Sequence, residues 1–354
     1  MGYNKRMRSF QIATGDAGQR LDKYIKRLLP SAAGSFPYKM LRKKNIVVNG
    51  KKAEGDYLLQ EGDEVRFYLA EETFLKLSQS ETAGIEEYAH ALAALKELRD
   101  AIVYEDEAVL ILNKPAGVLS QKADRDDISV NEWLTGYLLE KGEATKESLS
   151  YFKPTATHRL DRNTSGLLVC AKTLSAEREM TRLFREDGIE KYYRLVVLGQ
   201  VPVSGSIEGY LLKDEKTNTV TFSKEEVPGS KYSRTEYVRL SREVSTACCS
   251  NDYDTVSLVE ARLLTGRSHQ LRVHFASAGH PILFDPKYGN EERNRAAEKK
   301  LPKGMPKRQL LHCHKLVFPA LTGSLSALSE REIVSREPEV FRVFTASEEE
   351  AQGE

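Results

Sequence analysis

The stretch from His158 to Lys172 combines residue types that could do chemistry. Within it, Asp161 stands between Arg159 and Arg162 and precedes a Thr-Ser-Gly sequence, which is typical of a turn. Residues 166–171 then form an apolar run that is long enough for one buried strand. Neighbouring cations favour the ionised form of an acid, which suits a nucleophile or a base. The alternative is that Asp161 only caps its own turn through its side chain.

Two later blocks place further polar groups on predicted elements. Residues 191–199 predict a strand, and because side chains alternate along a strand, Tyr192 and Tyr193 should point to opposite faces. A Thr-Gly-Arg turn further on predicts the start of a helix, with His269 and Arg272 roughly on one face. Taken alone, a tyrosine in a half-buried strand is usually a core residue, and a single arginine is usually a surface residue.

Together these blocks resemble the RluA-type pseudouridine synthases. His158–Leu168 is similar to the family signature His-Arg-Leu-Asp-x-x-Thr-Ser-Gly, whose aspartate is the catalytic nucleophile, so the resemblance implies that role for Asp161. The Lys-x-Tyr block implies that Tyr193 stacks on the target uracil, as aromatic side chains do with unpaired bases. The Gly-Arg-x-His-Gln-Leu-Arg block implies that Arg272 pairs with Asp161. The resemblance also implies that Arg159 helps to occupy the space that the target base leaves.

Three other blocks extend the resemblance. Residues 102–117 are similar to the opening of the family's catalytic domain, and residues 310–319 are similar to its closing strand. Within residues 279–289, Phe284 and Asp285 resemble the RluC-type branch, which modifies large-subunit ribosomal RNA. The fold implied is α+β, with a mixed, largely antiparallel sheet in the catalytic domain.

The activity implied is an isomerisation of uridine to pseudouridine. The N1–C1′ glycosidic bond breaks, the uracil turns, and the base is joined again through C5. Because no atoms are gained or lost, we expect no cofactor and no metal, and the chain has no phosphate-binding or dinucleotide-binding glycine motif. Attack of Asp161 on the sugar and proton abstraction leading to a glycal both remain open from the sequence.

The N-terminal part of the chain has a strong positive charge. Residues 1–70 contain 14 Lys and Arg against 7 Asp and Glu, as expected of a nucleic-acid-binding module. Two predicted helices, a strand with an Asn-Gly turn and a last strand resemble the small S-four-type RNA-binding domain, although the usual Ser-Arg start of the second helix is missing. The alternative is a generic basic α/β appendage. The RNA contacts that we expect are the following: Arg20, Lys39, Arg42, Lys43 and Lys44 here, and Arg159, Arg267 and His269 in the catalytic part.

The charge pattern also predicts the domain boundaries. After the RNA-binding domain at 1–70, residues 71–100 carry 7 acids against 3 bases and predict an acidic, solvated helical linker. The catalytic domain is expected at 101–328, with a mobile basic loop at 291–309 that contacts phosphates. Residues 329–354 are predicted to be an acidic tail whose last seven residues are disordered.

Composition excludes several other classes of protein. The 354 residues are 40% hydrophobic and 30% charged, which is ordinary for an enzyme with a core, and the net charge is only +1. The four cysteines lack disulfide or metal spacing and indicate a reducing, cytoplasmic setting. His312 and His314 flank Cys313 but lack nearby carboxylate partners, so we do not predict a metal site. No signal peptide or membrane-spanning run is present, and a monomer is expected.

Alternative functions differ in the groups that they need. The same chemistry could act on transfer RNA, and a catalytically silent RNA-binding protein would share the basic N-terminal part. A glycoside hydrolase would need a second carboxylate at about 5–10 Å from Asp161. No such partner acid stands out in the sequence blocks.

Overall fold

A computed structural model of the chain describes residues 8–12, 16–78, 85–240, 255–299 and 307–344. The chain divides into two compact units. The first consists of Met1–Lys96, Asn131–Thr155 and Lys172–Glu177, and the second of Glu97–Val130, Ala156–Ala171 and Arg178–Glu354. In the part of the chain that the structure describes, no helix has the length and apolarity needed to cross a membrane.

The first unit contains a small antiparallel sheet with strand order β1-β3-β2, flanked by helices. The predicted succession of two helices, a strand and a last strand is present, and Asn49 and Gly50 form the expected turn with positive φ angles of 50° and 73°. Strand β1 was not anticipated. The elements of this unit are β1 Arg8–Gln11, α1 Leu21–Leu28, α2 Phe36–Arg42, β2 Ile46–Val48, β3 Glu64–Phe67, α3 Glu71–Ser78, α4 Ile85–Ala94, α5 Val130–Glu140 and α6 Lys146–Tyr151.

The segment that was predicted to be a solvated linker is partly a core element. In α3, Phe74 is only 3% exposed and packs against Phe10 and Phe67, with ring centroids 5.9 and 5.5 Å apart. The excess of acidic residues in this segment concealed the buried phenylalanine, so the expectation of a solvated helix is wrong for α3. Residues 79–84 lie outside the described residues.

The second unit is built around one large sheet whose main path runs β10-β9-β11-β12-β8-β13-β7-β5-β4. Along this path every described pair of strands is antiparallel except β13 and β7, which are parallel, so the predicted mixed, largely antiparallel sheet is confirmed. The elements are β4 Ile102–Glu105, β5 Val109–Lys114, β6 Thr155–Ala156, β7 Ser165–Ala171, α7 Leu174–Arg185, β8 Glu190–Leu198, β9 Ser204–Asp214, β10 Thr219–Ser223, β11 Lys231–Arg239, β12 Val256–Leu263, α8 Gln270–Ser277, α9 Glu291–Glu298, β13 Leu311–Val317 and β14 Glu332–Val334.

The parallel pair of strands depends on a glycine. Gly166 in β7 has φ +111°, and a Cβ atom there would lie 2.2 Å from the carbonyl oxygen of Cys313 in β13. Cys313 is opposite Gly166 on one side and opposite Tyr193 of β8 on the other. Because β7 begins four residues after Asp161, only the single strand β13 separates the start of β7, next to the Asp161 loop, from β8, which carries Tyr193.

Two predictions for the C-terminal third of the chain need correction. Residues 291–298 form helix α9, whose first turn is capped by the side chain of Asn290, and are not a mobile loop. Residues 300–306 lie outside the described part. The predicted acidic tail is structured in its described part, residues 329–344, where Phe341 and Phe344 on a 3-10 helix are buried against Val196 and its neighbours. Residues 345–354, including the seven that were expected to be disordered, are outside the described residues.

Candidate active site

Hydrogen bonds to the backbone of the Asp161 loop hold that loop in place. The hydroxyl of Ser120 donates to the carbonyl oxygen of Leu160 at 3.0 Å and accepts the N–H of the same residue at 3.1 Å. The N–H of Gly117 donates to the carbonyl oxygen of Arg162 at 2.7 Å, and the N–H of Thr164 donates to that of Asp161 at 3.0 Å. The backbone on both sides of Asp161 is therefore fixed by segments that precede it by about forty residues.

A buried lysine lies behind this loop. Lys114, at the end of β5, has no exposed surface, and its ammonium group donates to the carbonyl oxygens of Val118, Pro115 and Arg162 at 2.8, 3.0 and 3.3 Å. Burial lowers the pKa of Lys114 to about 7, although the negative charge of Asp161 acts in the opposite direction. Lys114 stands in one of the sequence blocks, but only the structure shows that it binds the carbonyl oxygens behind the Asp161 loop.

The carboxylate of Asp161 meets Arg272 from helix α8. Nη1 of Arg272 donates to Oδ2 of Asp161 at 2.8 Å, while the Asp161 side chain remains 31% exposed and the Arg272 side chain only 8%. A hydrogen bond of this kind, between two charged groups, is shorter and stronger than a neutral one. The structure therefore brings together the two residues that the resemblance pairs, from positions 111 residues apart.

A second carboxylate, Asp285, holds the other edge of the same guanidinium group. Nε and Nη2 of Arg272 donate to its two oxygens at 2.7 and 2.9 Å, and the backbone N–H groups of Lys287 and Tyr288 donate to it at 2.8 and 3.0 Å. Burial alone would raise the pKa of Asp285, but Arg272 and these N–H groups bring it below its usual value. Sequence reasoning placed Asp285 in a family block without assigning it this function.

Tyr193 lies beside the same carboxylate. It is 7% exposed, and Asp161 is close enough for its charge to act on the phenol. Burial raises the pKa of Tyr193 well above its usual value, and Cys313 and Asp161 raise it further. Tyr192 faces the other side of the strand, where the ammonium group of Lys315 lies 4.3 Å from its ring centroid. The choice of Tyr193 over Tyr192 thus agrees with the geometry.

His269 and Tyr288 complete the cluster. Nε2 of His269 lies 3.9 Å from Oδ1 of Asp161, and Nδ1 lies 2.7 Å from the hydroxyl of Tyr288. The guanidinium carbon of Arg272 lies 5.0 Å from the centroid of the Tyr288 ring. His269 was predicted as an RNA contact, whereas the structure places it next to the carboxylate; Tyr288 carried no prediction.

The arginines that flank Asp161 in sequence do not contact it in the described structure. Arg162 pairs instead with Asp127, at 3.3 Å between Nη2 and Oδ1. Arg159 is exposed and makes no hydrogen bond or ion pair with any residue that the structure describes. The arginine that contacts the acid is Arg272 instead, because a turn directs neighbouring side chains to different sides.

The remaining residues predicted to bind RNA occupy two places. Arg267 is partly exposed in the turn before α8, where its Nε donates to the carbonyl oxygen of Tyr232 at 3.1 Å. The others belong to the first unit, where Arg20 pairs with Asp22 at 3.1 Å. At the end of α2 and just after it, the exposed basic side chains are Lys39, Arg42, Lys43 and Lys44. These four form the cluster that we call the α2 basic cluster.

The histidines of the Asp161 block and of the closing strand form hydrogen bonds within the fold. Nε2 of His158 accepts the N–H of Val169 at 3.0 Å, and burial lowers the pKa of His158 to about 3. His312 bonds two serine hydroxyls, and His314 pairs with Glu260 at 2.8 Å. Among the residues that the structure describes, no group of three or more His, Cys, Asp or Glu side chains is placed to hold a metal ion.

Comparison with known proteins places these residues in a family. Residues 108–277 match the family described as RNA pseudouridylate synthase. The ribosomal large subunit pseudouridine synthase C of Escherichia coli (strain K12) is 33% identical over 285 residues, which cover 80% of each chain. The protein of the same name from Vibrio vulnificus (strain CMCP6) is 33% identical over 280 residues, which cover 77% of this chain and 78% of that one.

A solved structure supports the same fold. The human protein RNA Pseudouridylate Synthase Domain Containing 4 superposes with a TM-score of 0.54 at 22% identity, covering 72% of this chain and 95% of that one. The sequence relatives cover most of both chains, and the family match includes the loop of Asp161, strand β8 and helix α8. The chain therefore belongs to the RluA-type pseudouridine synthases, which are RNA-modifying isomerases, and is RluC-like within them.

Proposed function

We propose that this protein converts specific uridines of large-subunit ribosomal RNA to pseudouridine, with Asp161 as the nucleophile. The observation that supports this most directly is the partly exposed carboxylate of Asp161, fixed by Arg272 and close to Tyr193. The choice of ribosomal RNA rests on the names of the sequence relatives. A cytoplasmic location and a monomeric state stay predictions.

The chemistry needs one aimed carboxylate and a support for the free base. In one route an oxygen of Asp161 attacks C1′ of the target uridine and displaces uracil, which leaves with the electron pair of the N1–C1′ bond. In the other route Asp161 removes the proton on C2′, and a glycal forms as the base leaves. In the first route the C1′–O bond to Asp161 breaks as C5 of the turned base bonds to C1′. In the second route C5 bonds to C1′ of the glycal and Asp161 returns the proton to C2′. In both, the C5 proton is then lost and N1 gains a proton. Tyr193 supports the base by stacking.

The positions of the two carboxylates argue against glycoside hydrolysis. Asp285 is the second acid that the sequence blocks did not reveal, but its side chain is fully buried and accepts four hydrogen bonds. An inverting or retaining glycosidase needs one carboxyl group with a raised pKa to protonate the leaving group. The pKa of Asp285 is shifted in the opposite direction. A role as the support of Arg272 agrees better with these properties.

To reach Asp161, the target uridine must leave the base stack of the RNA, which costs a few kcal/mol. Arg159 is exposed at the entrance of the Asp161 loop, two residues before the carboxylate, and is available to occupy the vacated space. The α2 basic cluster supplies charges for phosphate groups of the RNA, which add affinity and no base specificity.

The test is tritium release from C5-labelled uridine in transcripts of large-subunit ribosomal RNA. Native protein is expected to release tritium, Asp161→Asn to release none, and Asp127→Asn, which changes the carboxylate that pairs with Arg162, to behave as native. Equal release by native protein and Asp161→Asn would rule out the nucleophile. Release from transfer RNA alone would assign the other substrate, and no release from either RNA would indicate a silent RNA-binding protein.

A further inference from the structure

His269 has an unusual backbone conformation for its residue type. Its φ of 53° and ψ of 18° are left-handed, although it is not glycine, and it directly precedes the first residue of α8. Such a conformation is unfavourable by roughly 1–2 kcal/mol and persists where the surrounding structure imposes it. Its consequence is that the imidazole, only 10% exposed, lies beside Asp161.

The hydrogen bonds around the imidazole favour one tautomer. The hydroxyl of Tyr288 accepts the N–H of Val220 at 2.9 Å and lies 2.7 Å from Nδ1 of His269. If Nδ1 carried the proton, the Tyr288 hydroxyl proton would have no acceptor among the described residues. With Tyr288 donating to Nδ1, the proton of the neutral ring is on Nε2, which is the atom that faces Oδ1 of Asp161.

Burial favours the neutral form of the His269 ring. Burial is the largest influence and lowers the pKa of His269, and Arg272 and Lys287 lower it further, while Asp161 and Asp285 raise it without reversing the shift. A neutral imidazole with a proton on Nε2 is a hydrogen-bond donor towards the carboxylate. Arg272 already holds the other oxygen, Oδ2, at 2.8 Å.

We propose that His269 is a positioning residue that donates from Nε2 to Oδ1 of Asp161 in the substrate complex and so fixes the carboxylate at both oxygens. The 3.9 Å separation shortens when substrate binds, as hydrogen bonds in free active sites commonly do. This rests on the proposed function of Asp161. It also replaces the prediction that His269 contacts RNA.

The first experiment compares two substitutions of the histidine. His269→Gln keeps an N–H donor near the position of Nε2, whereas His269→Leu keeps a similar size without a donor. In single-turnover tritium release, the Leu variant is expected to lose rate on the order of 100-fold with unchanged KM for RNA, because a misplaced reacting group costs about that much. The Gln variant is expected to keep most of the rate. Arg267→Gln, two residues away, gives the result expected of an RNA contact, which is a raised KM.

The second experiment uses Tyr288→Phe, which keeps the ring beside Arg272 and removes the hydroxyl that sets the tautomer. Combined with native His269 it should slow the reaction several-fold. Combined with His269→Gln it should have no further effect, because an amide needs no tautomer to be fixed. A purely structural loss, through the unpaired N–H of Val220, would slow both backgrounds equally.

Several outcomes would overturn the proposal. Equal rates for the Leu and Gln variants would overturn it. A raised KM with an unchanged rate constant in the Leu variant would also overturn it, because that is the result expected of an RNA contact. Equal effects of Tyr288→Phe in both backgrounds would also contradict it. Activity of Asp161→Asn is measured in the same assay, so a failure of the proposed nucleophile is recognised separately from a failure of the His269 assignment.

Discussion

Asp285 occupies two of the three nitrogen atoms of Arg272, and only Nη1 is left to bond Asp161. The guanidinium group is planar, so a partner that takes Nε and Nη2 also fixes the direction of Nη1. The orientation of the proposed nucleophile is therefore set by a carboxylate that is too deeply buried to meet the substrate. Through Arg272, the position of Asp285 therefore fixes the direction in which Asp161 is bound.

Substitution of Asp285 tests this arrangement. Asp285→Asn removes the negative charge and one acceptor oxygen, and the buried Arg272 loses its ionic partner. Removal of one member of a buried ion pair destabilises a protein by about 3–5 kcal/mol. We expect a large loss of stability in urea unfolding and a tritium-release rate that falls with unchanged KM. The control is Glu190→Gln, whose pairing with Arg262 at 2.7 Å is more exposed, and which should change stability by at most about 1 kcal/mol.

Lys114 should control the order of the Asp161 loop. Lys114→Met keeps the volume of the side chain but leaves the carbonyl oxygens of Pro115 and Val118 without the ammonium donor, at a cost of about 1–3 kcal/mol each. We expect faster hydrogen exchange of the amides from 158 to 164 and a slower tritium release. Lys172→Met replaces another buried lysine, one that pairs with Glu143. If the amides of that loop exchange equally fast in both variants, Lys114 does not hold the loop in place.

Gly166→Ala should separate β7 from β13. The added Cβ would lie 2.2 Å from the carbonyl oxygen of Cys313, which belongs to backbone and cannot move aside as a flexible side chain would. Gly279→Ala provides the control, because Gly279 has φ +85° but open space around the new Cβ. It should lose only the roughly 1–2 kcal/mol that a left-handed conformation costs. A similar melting temperature for the two variants would show that the close approach is not required.

The α2 basic cluster should contribute to RNA binding through charge alone. In the triple substitution of Arg42, Lys43 and Lys44 to Gln, we expect weaker RNA binding at all sequences and an unchanged single-turnover rate at saturating RNA. The slope of log affinity against log salt should become shallower by about 0.7–0.9 for each phosphate group that the variant no longer neutralises. Charge substitution is preferable to deletion of residues 1–70, because deletion would expose Phe74. An unchanged slope would contradict the RNA-binding role.

The sequence was most informative where its signal is local. The apolar run at 166–171 predicted strand β7, and the alternation along the next block predicted that Tyr192 and Tyr193 face opposite sides of their strand. The pairing of Asp161 with Arg272 came only from the family resemblance, because no local pattern encodes a contact between residues whose numbers differ by 111. Local periodicity specifies an element and its buried face, and the resemblance supplied the distant partner.

The features that sequence reasoning missed all depend on distant partners. Asp285 stands between Phe284 and a proline, which is typical of a turn acid, and only the folded chain shows that it faces Arg272. Phe341 and Phe344 lie in an acid-rich segment whose charge suggested solvation, yet two aromatic side chains three residues apart were enough to anchor it. Average charge over a segment conceals single buried residues of this kind.

Stability should fall in acid because buried histidines resist protonation. His312 lies between the hydroxyls of Ser165 and Ser335, each 2.8 Å from a ring nitrogen, and burial lowers its pKa from 6.5 to about 3. The unfolded chain therefore binds a proton below pH 6.5 that the folded chain refuses until about pH 3. The stabilising contribution is complete above pH 6.5 and is lost, as pH falls below that value, by about 1.4 kcal/mol per pH unit.

His312→Gln removes the pH-dependent contribution of this histidine to stability and so tests it. The free energy of unfolding by urea, measured from about pH 6.5 down to pH 5, should depend on pH less steeply in the variant, by about 1.4 kcal/mol per unit. Most carboxylates stay ionised in that range, so histidines dominate the slope. The variant should also be less stable at pH 7.5, because its amide cannot bond both serines as the imidazole does. His90→Gln changes an exposed histidine and should keep the native slope. If His312→Gln also keeps the native slope, the folded protein protonates His312 without penalty and the ring is not held neutral between the two hydroxyls.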